Sequence, residues 1–291
     1  MDKSVRRLAN TSWLSLLIAP LILLSGGIAL AQQPSPAPAP SAGREINAHA
    51  SERLVDSSIV DDSAVDKMLA AYSPKVRALD SVIGTLKGPL RKGGMGAGSL
   101  GNFVADGMRA EASRKLGKPV DLAIINAGGL RRDAISEGDV RARDIFELLP
   151  FENALVTMDL TGAQLINLLG VVTARREGQS GALITYRTNA EKRSEFESAR
   201  LFDEQYHDLP IDPKTTYTVV TIDYLINVGG ATYSVLREGK NTRPLGITVR
   251  DAIMDYIKSE TAAGRALNPN PDGRFILDKA NSIITGEPPP Q

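Results

Sequence analysis

Three short stretches of this sequence carry residue types that could do chemistry together. The first is Asn126-Ala127-Gly128-Gly129-Leu130-Arg131. Glycines 128 and 129 can turn their backbone N–H groups toward an anion. Arg131 adds a planar, permanently charged fork suited to phosphate or carboxylate. The Asn126 amide both donates and accepts, so it could read a sugar hydroxyl or a base edge. The plainer alternative is a tight turn whose Arg131 is solvated or paired with Asp133, with Arg132 a surface residue. The second stretch is Leu149-Pro150-Phe151-Glu152-Asn153, where proline fixes the backbone and aims Phe151 as a platform for a flat ring. The alternative is a core phenylalanine. The third is Thr221 to Gly230, a strand that ends in Tyr224 and a Gly-Gly turn. Tyr224 could be the opposite wall of a base sandwich, or a half-buried tyrosine at a strand end.

Other chemistries are poorly supplied. The chain has no cysteine, which excludes disulfides, thiolate metal sites and cysteine nucleophiles. Its two histidines, His49 and His207, sit beside a linker and in a polar stretch. Asp61-Asp62 and Asp203-Glu204 are isolated acidic pairs that suit helix starts or solvated loops better than metal ligands. Neither a Gly-x-Ser-x-Gly elbow nor a P-loop occurs. Lys and Arg number 34 and so do Asp and Glu, a zero balance that argues against nucleic acid as a partner.

The elements that must position these residues are legible from apolar spacing. Asp121 to Asn126 is a short continuous apolar run, as in a strand buried on both faces. Helical spacing marks Asp62 to Leu79, ended or kinked at Pro74, and a helix from Ser99, with Ser99 as its cap. Arg143 to Leu148 is a short helix, and Thr161 caps a longer one to Val172. Arg250 to Ser259 is helical. Strands are expected over Ser81 to Leu86, Leu155 to Leu160, Leu183 to Arg187, Ser198 to Phe202, Tyr217 to Ile222 and Arg274 to Leu277. Lys87 to Ser99 reads as loop. Without a regular βαβ rhythm, the mixture predicts an α+β or irregular α/β domain.

Residues 1–31 have the form of an export signal. Lys3, Arg6 and Arg7 precede an apolar run from Trp13 to Leu30, and Ala29-Leu30-Ala31 has the small-x-small form of a cleavage site. An uncleaved anchor is the alternative, since the run is nearly long enough to span a bilayer. Residues 32–43 form a Pro/Ala-rich spacer. Residues 44–286 are one domain-sized block, and residues 287–291 a tail. The segment implies a periplasmic or secreted domain, either released or anchored through its N-terminus.

Four blocks occur in a fixed order: LGNFVADGMR, DLAIINAGGLRRDAISEGDV, DIFELLPFENALVTMDLTGAQL, and YTVVTIDYL followed by Gly-Gly. Together they resemble the C-terminal domain of the 5'-nucleotidase family, over about Val60 to Leu277. The resemblance implies a four-layer α-β-β-α domain that holds the nucleoside part of a nucleotide. It implies that Asn126 and Arg131 contact the ligand, that Phe151 stacks on the base, and that Tyr224 is the second stacking aromatic. The chain departs from the family's pattern in two places, and the first implies weaker or altered ligand binding. GGMGAGS stands where the family carries an arginine before the LGN block, with only Arg91 and Lys92 near. One extra residue separates Tyr224 from Gly229, and Ala231-Thr232 replaces Asp-Gly.

The family's hydrolysis needs two metal ions held by a preceding domain through Asp-x-His, Gly-Asp, Gly-Asn-His and Gly-His-x-His motifs, and none of these occurs here. Three functions remain open. The chain could be a stand-alone binder of a nucleotide or nucleoside. It could supply the substrate pocket of a separately encoded metallophosphatase subunit, the divalent metals belonging to that partner. It could also be a degenerate interaction domain without a ligand. A partnered domain predicts an exposed apolar patch where the inter-domain helix would pack; a stand-alone binder predicts a polar surface there.

Overall fold

The computed structural model describes residues 50–202, 208–267, 273–280 and 282. The signal-like segment, the linker, the tail, both histidines and the Asp203-Glu204 pair lie outside them. The chain divides into Met1–Val60 and Asp61–Gln291, and every element named below belongs to the second unit.

That unit opens with helices α1 (Ser63–Ala70) and α2 (Ser73–Ala78). Asp62 caps α1, its Oδ1 accepting from the N–H groups of Ala64 (2.8 Å) and Val65 (3.2 Å). The break expected at Pro74 falls earlier, at Ala71 and Tyr72. Pro74 sits in the first turn of α2, where its missing N–H leaves no bond unmade. Next come β1 (Val82–Leu86), β2 (Leu90–Arg91) and α3 (Gly98–Leu116). Lys87 to Ser99, expected as loop, contains β2 and a 3-10 turn. Ser99 does not cap α3. The helix starts at Gly98, and Ser99 Oγ accepts from the Arg91 N–H (2.9 Å), fastening β2. Leu100, Phe103, Val104 and Met108 bury the expected apolar face.

The chain continues through β3 (Leu122–Ile125), β4 (Ala134–Ile135), β5 (Gly138–Arg141), α4 (Ala142–Leu148), β6 (Ala154–Thr161) and α5 (Gly162–Arg175). Thr161 caps α5 in a reciprocal box. Its Oγ1 accepts from the Gln164 N–H (3.3 Å), while Gln164 Oε1 accepts from the Thr161 N–H (2.9 Å). Then follow β7 (Gly178–Ser180), β8 (Ala182–Thr188), β9 (Ser194–Phe202), β10 (Asp208–Pro210), β11 (Thr216–Ile222), α6 (Asp223–Asn227), α7 (Ser234–Arg237), β12 (Lys240–Thr248), α8 (Val249–Ala262) and β13 (Phe275–Leu277). The α+β class that the sequence implies is present.

Two main sheets organise the unit, one ordered β12-β6-β11-β3-β7 and the other β10-β9-β8-β13. Gly181, at φ 113°, turns the chain from β7 in the first to β8 in the second, a conformation that side-chain-bearing residues rarely adopt. Helix α3 packs on β3 and β7 with α8 beside it, and α5 packs on β6 and against β9. The centre of the first sheet is therefore covered, which is why all of β3 and residues 218–222 of β11 are buried. Strand β12 had no alternating signature and contains Pro244. It lies on the sheet edge, where register shifts between Lys240 and Arg243 and between Pro244 and Thr248 accommodate the proline.

Strand direction decides where the polar residues gather. Strands β3 and β11 run parallel, with Val219 opposite Leu122, and β6 runs antiparallel to β11, with Ile222 opposite Leu155. The carboxyl ends of β3 and β11 and the amino end of β6 thus share one edge. Asn126, Tyr224 and the Phe151 loop are delivered there together.

Candidate ligand-binding site

A strand buried on both faces leaves its first polar residue at the rim of the sheet, and for β3 that residue is Asn126. The next three residues form one 3-10 turn, closed by the Gly129 N–H to Asn126 O (3.0 Å) and the Leu130 N–H to Ala127 O (3.2 Å). A Cβ on Gly129 would stand 3.1 Å from Asn126 Oδ1, so the glycine lets the amide lie close over the turn. Asn126 Oδ1 is buried and has no hydrogen-bond partner among the described residues. A buried orphan acceptor costs about 1–3 kcal/mol, which a ligand donor would recover.

Arg131 leaves the turn with its N–H bonded to Leu148 O (2.9 Å), at the end of α4. Its guanidinium carbon stands 5.9 Å from the centre of the Phe151 ring, and no ion pair joins it to Asp133 among the described residues. Arg132 faces α4 instead, pairing with Asp144 (2.7 Å) and Glu147 (3.2 Å).

Phe151 is not a core residue; 48% of it is exposed. What is buried is its support, Arg250 of α8. That guanidinium stacks 4.3 Å from the Phe146 ring, donates to the carbonyls of Leu149 and Pro150 (3.4 Å each) and pairs with Glu152. The loop backbone is held while the ring stays in solvent. Tyr224 is likewise 43% exposed. It lies in the first turn of α6, not at a strand end. Asp223 Oδ1 accepts from both the Tyr224 N–H (2.8 Å) and the Ala154 N–H (3.1 Å), tying α6 to the start of β6.

These pieces enclose a cavity of about 260 Å³ lined by Asn126, Gly128, Gly129, Arg131, Phe151, Asn153 and Tyr224. All six residues singled out in the sequence converge there, joined by Asn153. A wider cavity of about 490 Å³ includes Lys118, Asp159 and Arg243 in its lining but no aromatic residue and none of the six.

The sequence did not mark the residues that brace the walls. Glu177 is the foremost. Its side chain is 4% exposed, and it accepts from the Ala127 N–H, the Tyr233 hydroxyl (2.6 Å) and Arg175 Nε (3.2 Å). Burial, and then the Glu177 carboxylate, push the Tyr233 phenol well above its ordinary range. Lys92 supports the turn from behind, its Nζ donating to Leu130 O (2.8 Å). In sequence Glu177 follows two arginines and reads as one more surface charge. Arg250 reads as the polar face of a helix, and nothing in the Phe151 block sets Asn153 apart from its neighbours.

Among the described residues, no group of three or more His, Asp or Glu side chains is placed to hold a metal ion, and no helix is long and apolar enough to cross a membrane.

The family model of the 5'-nucleotidase C-terminal domain matches residues 82–238. The chain is 29% identical over 184 residues to the trifunctional nucleotide phosphoesterase protein YfkN of Bacillus subtilis, a match that covers 61% of this chain and 12% of that protein. It is 27% identical over 178 residues to the apyrase of Tabanus yao, covering 55% of this chain and 32% of that protein. Among solved structures, the 5'-nucleotidase precursor of Thermus thermophilus superposes with a TM-score of 0.60 at 26% identity, covering 74% of this chain and 43% of that one. The chain thus spans less than half the length of each of these relatives.

Proposed function

Because the chain belongs to the family of 5'-nucleotidase C-terminal domains, we propose that it is the nucleotide-recognising part of a hydrolase of nucleotide catabolism. The cavity carries this reading. Phe151 and Tyr224 offer aromatic faces for a base. Asn126 and Asn153 offer hydrogen bonds for a sugar or a base edge, and Arg131 offers a fixed charge. The described residues do not fit a dinuclear metal centre. Cleavage of the phosphate ester would fall to a separate subunit that holds the divalent metals, and this chain would supply the substrate pocket. Its zero net charge weighs against nucleic acid as the ligand. The basic start, apolar run and Ala29-Leu30-Ala31 of the sequence support export of the domain to the periplasm or out of the cell, free or anchored. N-terminal sequencing of the mature protein separates the two.

Calorimetric titration of AMP, adenosine and a UDP-sugar tests the central claim, with hydrolysis followed in the same samples plus divalent metal. Binding that Arg131→Ala and Phe151→Ala both weaken, without turnover, is the expected result. No binding to any of the three would sink it and leave an interaction domain without a ligand.

A stand-alone binding module is the alternative. One observation favours the partnered form: no residue of α1 or α2 is buried, and Val65, Met68, Leu69, Tyr72 and Val76 all stand exposed. An apolar surface on the helices that lead into the domain suits a catalytic subunit docked against them.

A further inference from the structure

Helix α3 ends at Leu116, and Gly117, at φ 65°, turns the chain out of the helix. Beyond that end lies the second cavity, of about 490 Å³, whose lining combines Leu116 and Lys118 with residues of β6, β11 and β12. It sits toward the opposite end of the strands from the aromatic cavity. Thr218, in its lining, precedes Ile222 in β11 by a span of about 13 Å. The two linings share no residue.

This part of the sheet is polar although it is covered: Thr157 is 3% exposed and Thr218 9%. A chain of hydrogen bonds accounts for most of the polar groups. Lys118 Nζ donates to Thr218 Oγ1 (3.1 Å), which donates to Asp159 Oδ1 (3.2 Å), while Asn241 Nδ2 donates to Asp159 Oδ2 (2.7 Å). Lys118 is thus set against the charge of Asp159 through one hydroxyl. Asn241 stands at φ 52°, an uncommon conformation for a residue with a side chain, where the register shifts between Lys240 and Arg243. Past that shift, Arg243 comes opposite Thr157.

Those last two are left over. Neither the Thr157 hydroxyl nor the Arg243 guanidinium has a hydrogen bond or ion pair among the described residues. A hydroxyl at that depth without a partner costs stability and calls for a group that answers it. The guanidinium opposite is a permanently charged fork suited to a phosphate.

We propose that this cavity is a second ligand site, for a sugar phosphate. Arg243 and Thr157 receive the phosphate, and Asp159 and Asn241 receive sugar hydroxyls. Asp159 lies two residues along β6 from Thr157, about 7 Å. Its carboxylate accepts from hydroxyls and repels a phosphate, so it sets the direction of the ligand. The lining has no aromatic residue to stack a base, and its volume exceeds what a bare phosphate fills. The proposal stands apart from the nucleotide reading above, since the two sites have no residue in common.

The test is calorimetric titration of the full chain with glucose 6-phosphate, inorganic phosphate and glucose, for the parent, Arg243→Gln, Thr157→Val and Arg131→Ala. The parent should bind glucose 6-phosphate at least about tenfold more tightly than either fragment. Arg243→Gln, at an exposed position that does not threaten folding, should weaken it about ten- to a hundredfold, the worth of a charge-assisted pair. Thr157→Val should weaken it about fivefold, with a urea midpoint no lower than the parent's, because the hydroxyl serves the ligand and not the fold. Arg131→Ala should leave it within about twofold, as a distant site. AMP should bind Arg243→Gln as it binds the parent. A parent that binds none of the three probes would overturn the proposal, as would inorganic phosphate bound as tightly as glucose 6-phosphate, which marks a simple ion site. An equal loss in Arg131→Ala and Arg243→Gln would also sink it, by moving the anion to the aromatic cavity. So would a Thr157→Val protein with a lower midpoint and unchanged affinity.

Discussion

Two regions of this molecule expose apolar side chains, and they do so in different ways. At the cavity, Phe151 and Tyr224 stand about half in solvent, but the backbone beneath each is fastened by a buried or shared polar group: Arg250 under the first, Asp223 under the second. On α1 and α2, the exposure of the large apolar residues runs from 46% at Val65 to 61% at Met68, and none of the helices' residues is buried. The segment that follows is fixed at Leu79, Asp80 and Ser81, whose carbonyls accept from the Arg143 N–H (2.9 Å), the Arg141 guanidinium (2.6 Å) and the Ala142 N–H (3.0 Å). A rigid exposed aromatic framed by hydrogen-bonding groups suits a small planar ligand, whose binding gains little if the site must first be ordered. A lightly held amphipathic helix pair suits a large apolar partner surface, which can supply the order on docking.

Breaking the brace should have the largest effect. Glu177→Ala strands three donors and should lower stability by about 3 kcal/mol, read as a lower urea midpoint at unchanged slope, and should abolish ligand binding. A midpoint within error of the parent would show that the carboxylate is not the support. Arg250→Ala should cost about 2 kcal/mol and weaken AMP, although Arg250 does not line the cavity. Unchanged AMP affinity in that variant would detach the Phe151 loop from its proposed anchor.

Phe151→Ala and Tyr224→Ala invert the pattern. Each should leave stability within about 0.5 kcal/mol and remove about 1–2 kcal/mol of base affinity, measured by calorimetry. The raised Tyr233 phenol gives a smaller, pH-dependent signature. Its folded value lies above the unfolded one of about 10, so its contribution is complete below that pH and is lost as pH rises past it. Urea midpoints should decline above about pH 10, and Tyr233→Phe should flatten the decline. The smallest effect on the isolated chain belongs to Leu69→Glu and Met68→Glu: stability within about 0.5 kcal/mol and unaltered AMP binding. Co-elution with a separately produced metallophosphatase domain, and the AMP hydrolysis it brings, should be lost. Retention of both would make α1 and α2 bystanders.

Much of the cavity was legible because its makers are local. An apolar run that stops at an amide and two glycines announces a buried strand and a tight turn, and Pro150 announces a fixed Phe151. Thr161 and Gln164 announce their own helix start. Errors fell where tertiary contacts chose among local options. Ser99 could cap α3, but the approach of β2 gave its hydroxyl to Arg91. Tyr224 could end β11, but Asp223 starts a helical turn by sharing its carboxylate with β6. Strand β12 lacked alternation because an edge strand can carry Pro244 and exposed polar residues.

By itself the sequence determined the α+β class, the family, and the residues that line the cavity at the end of β3 and in the Phe151 loop. These follow from short-range rules, in which a residue's neighbours within one turn or strand set its conformation. Only the tertiary structure decided what holds them. Glu177 lies 50 residues from Ala127 and 56 from Tyr233, and Arg250 lies 98 from Glu152. At such separations a charge on a surface and a charge in a brace look alike in sequence. Burial makes the difference, because a charged group removed from water persists only where the fold returns the hydrogen bonds that water gave it.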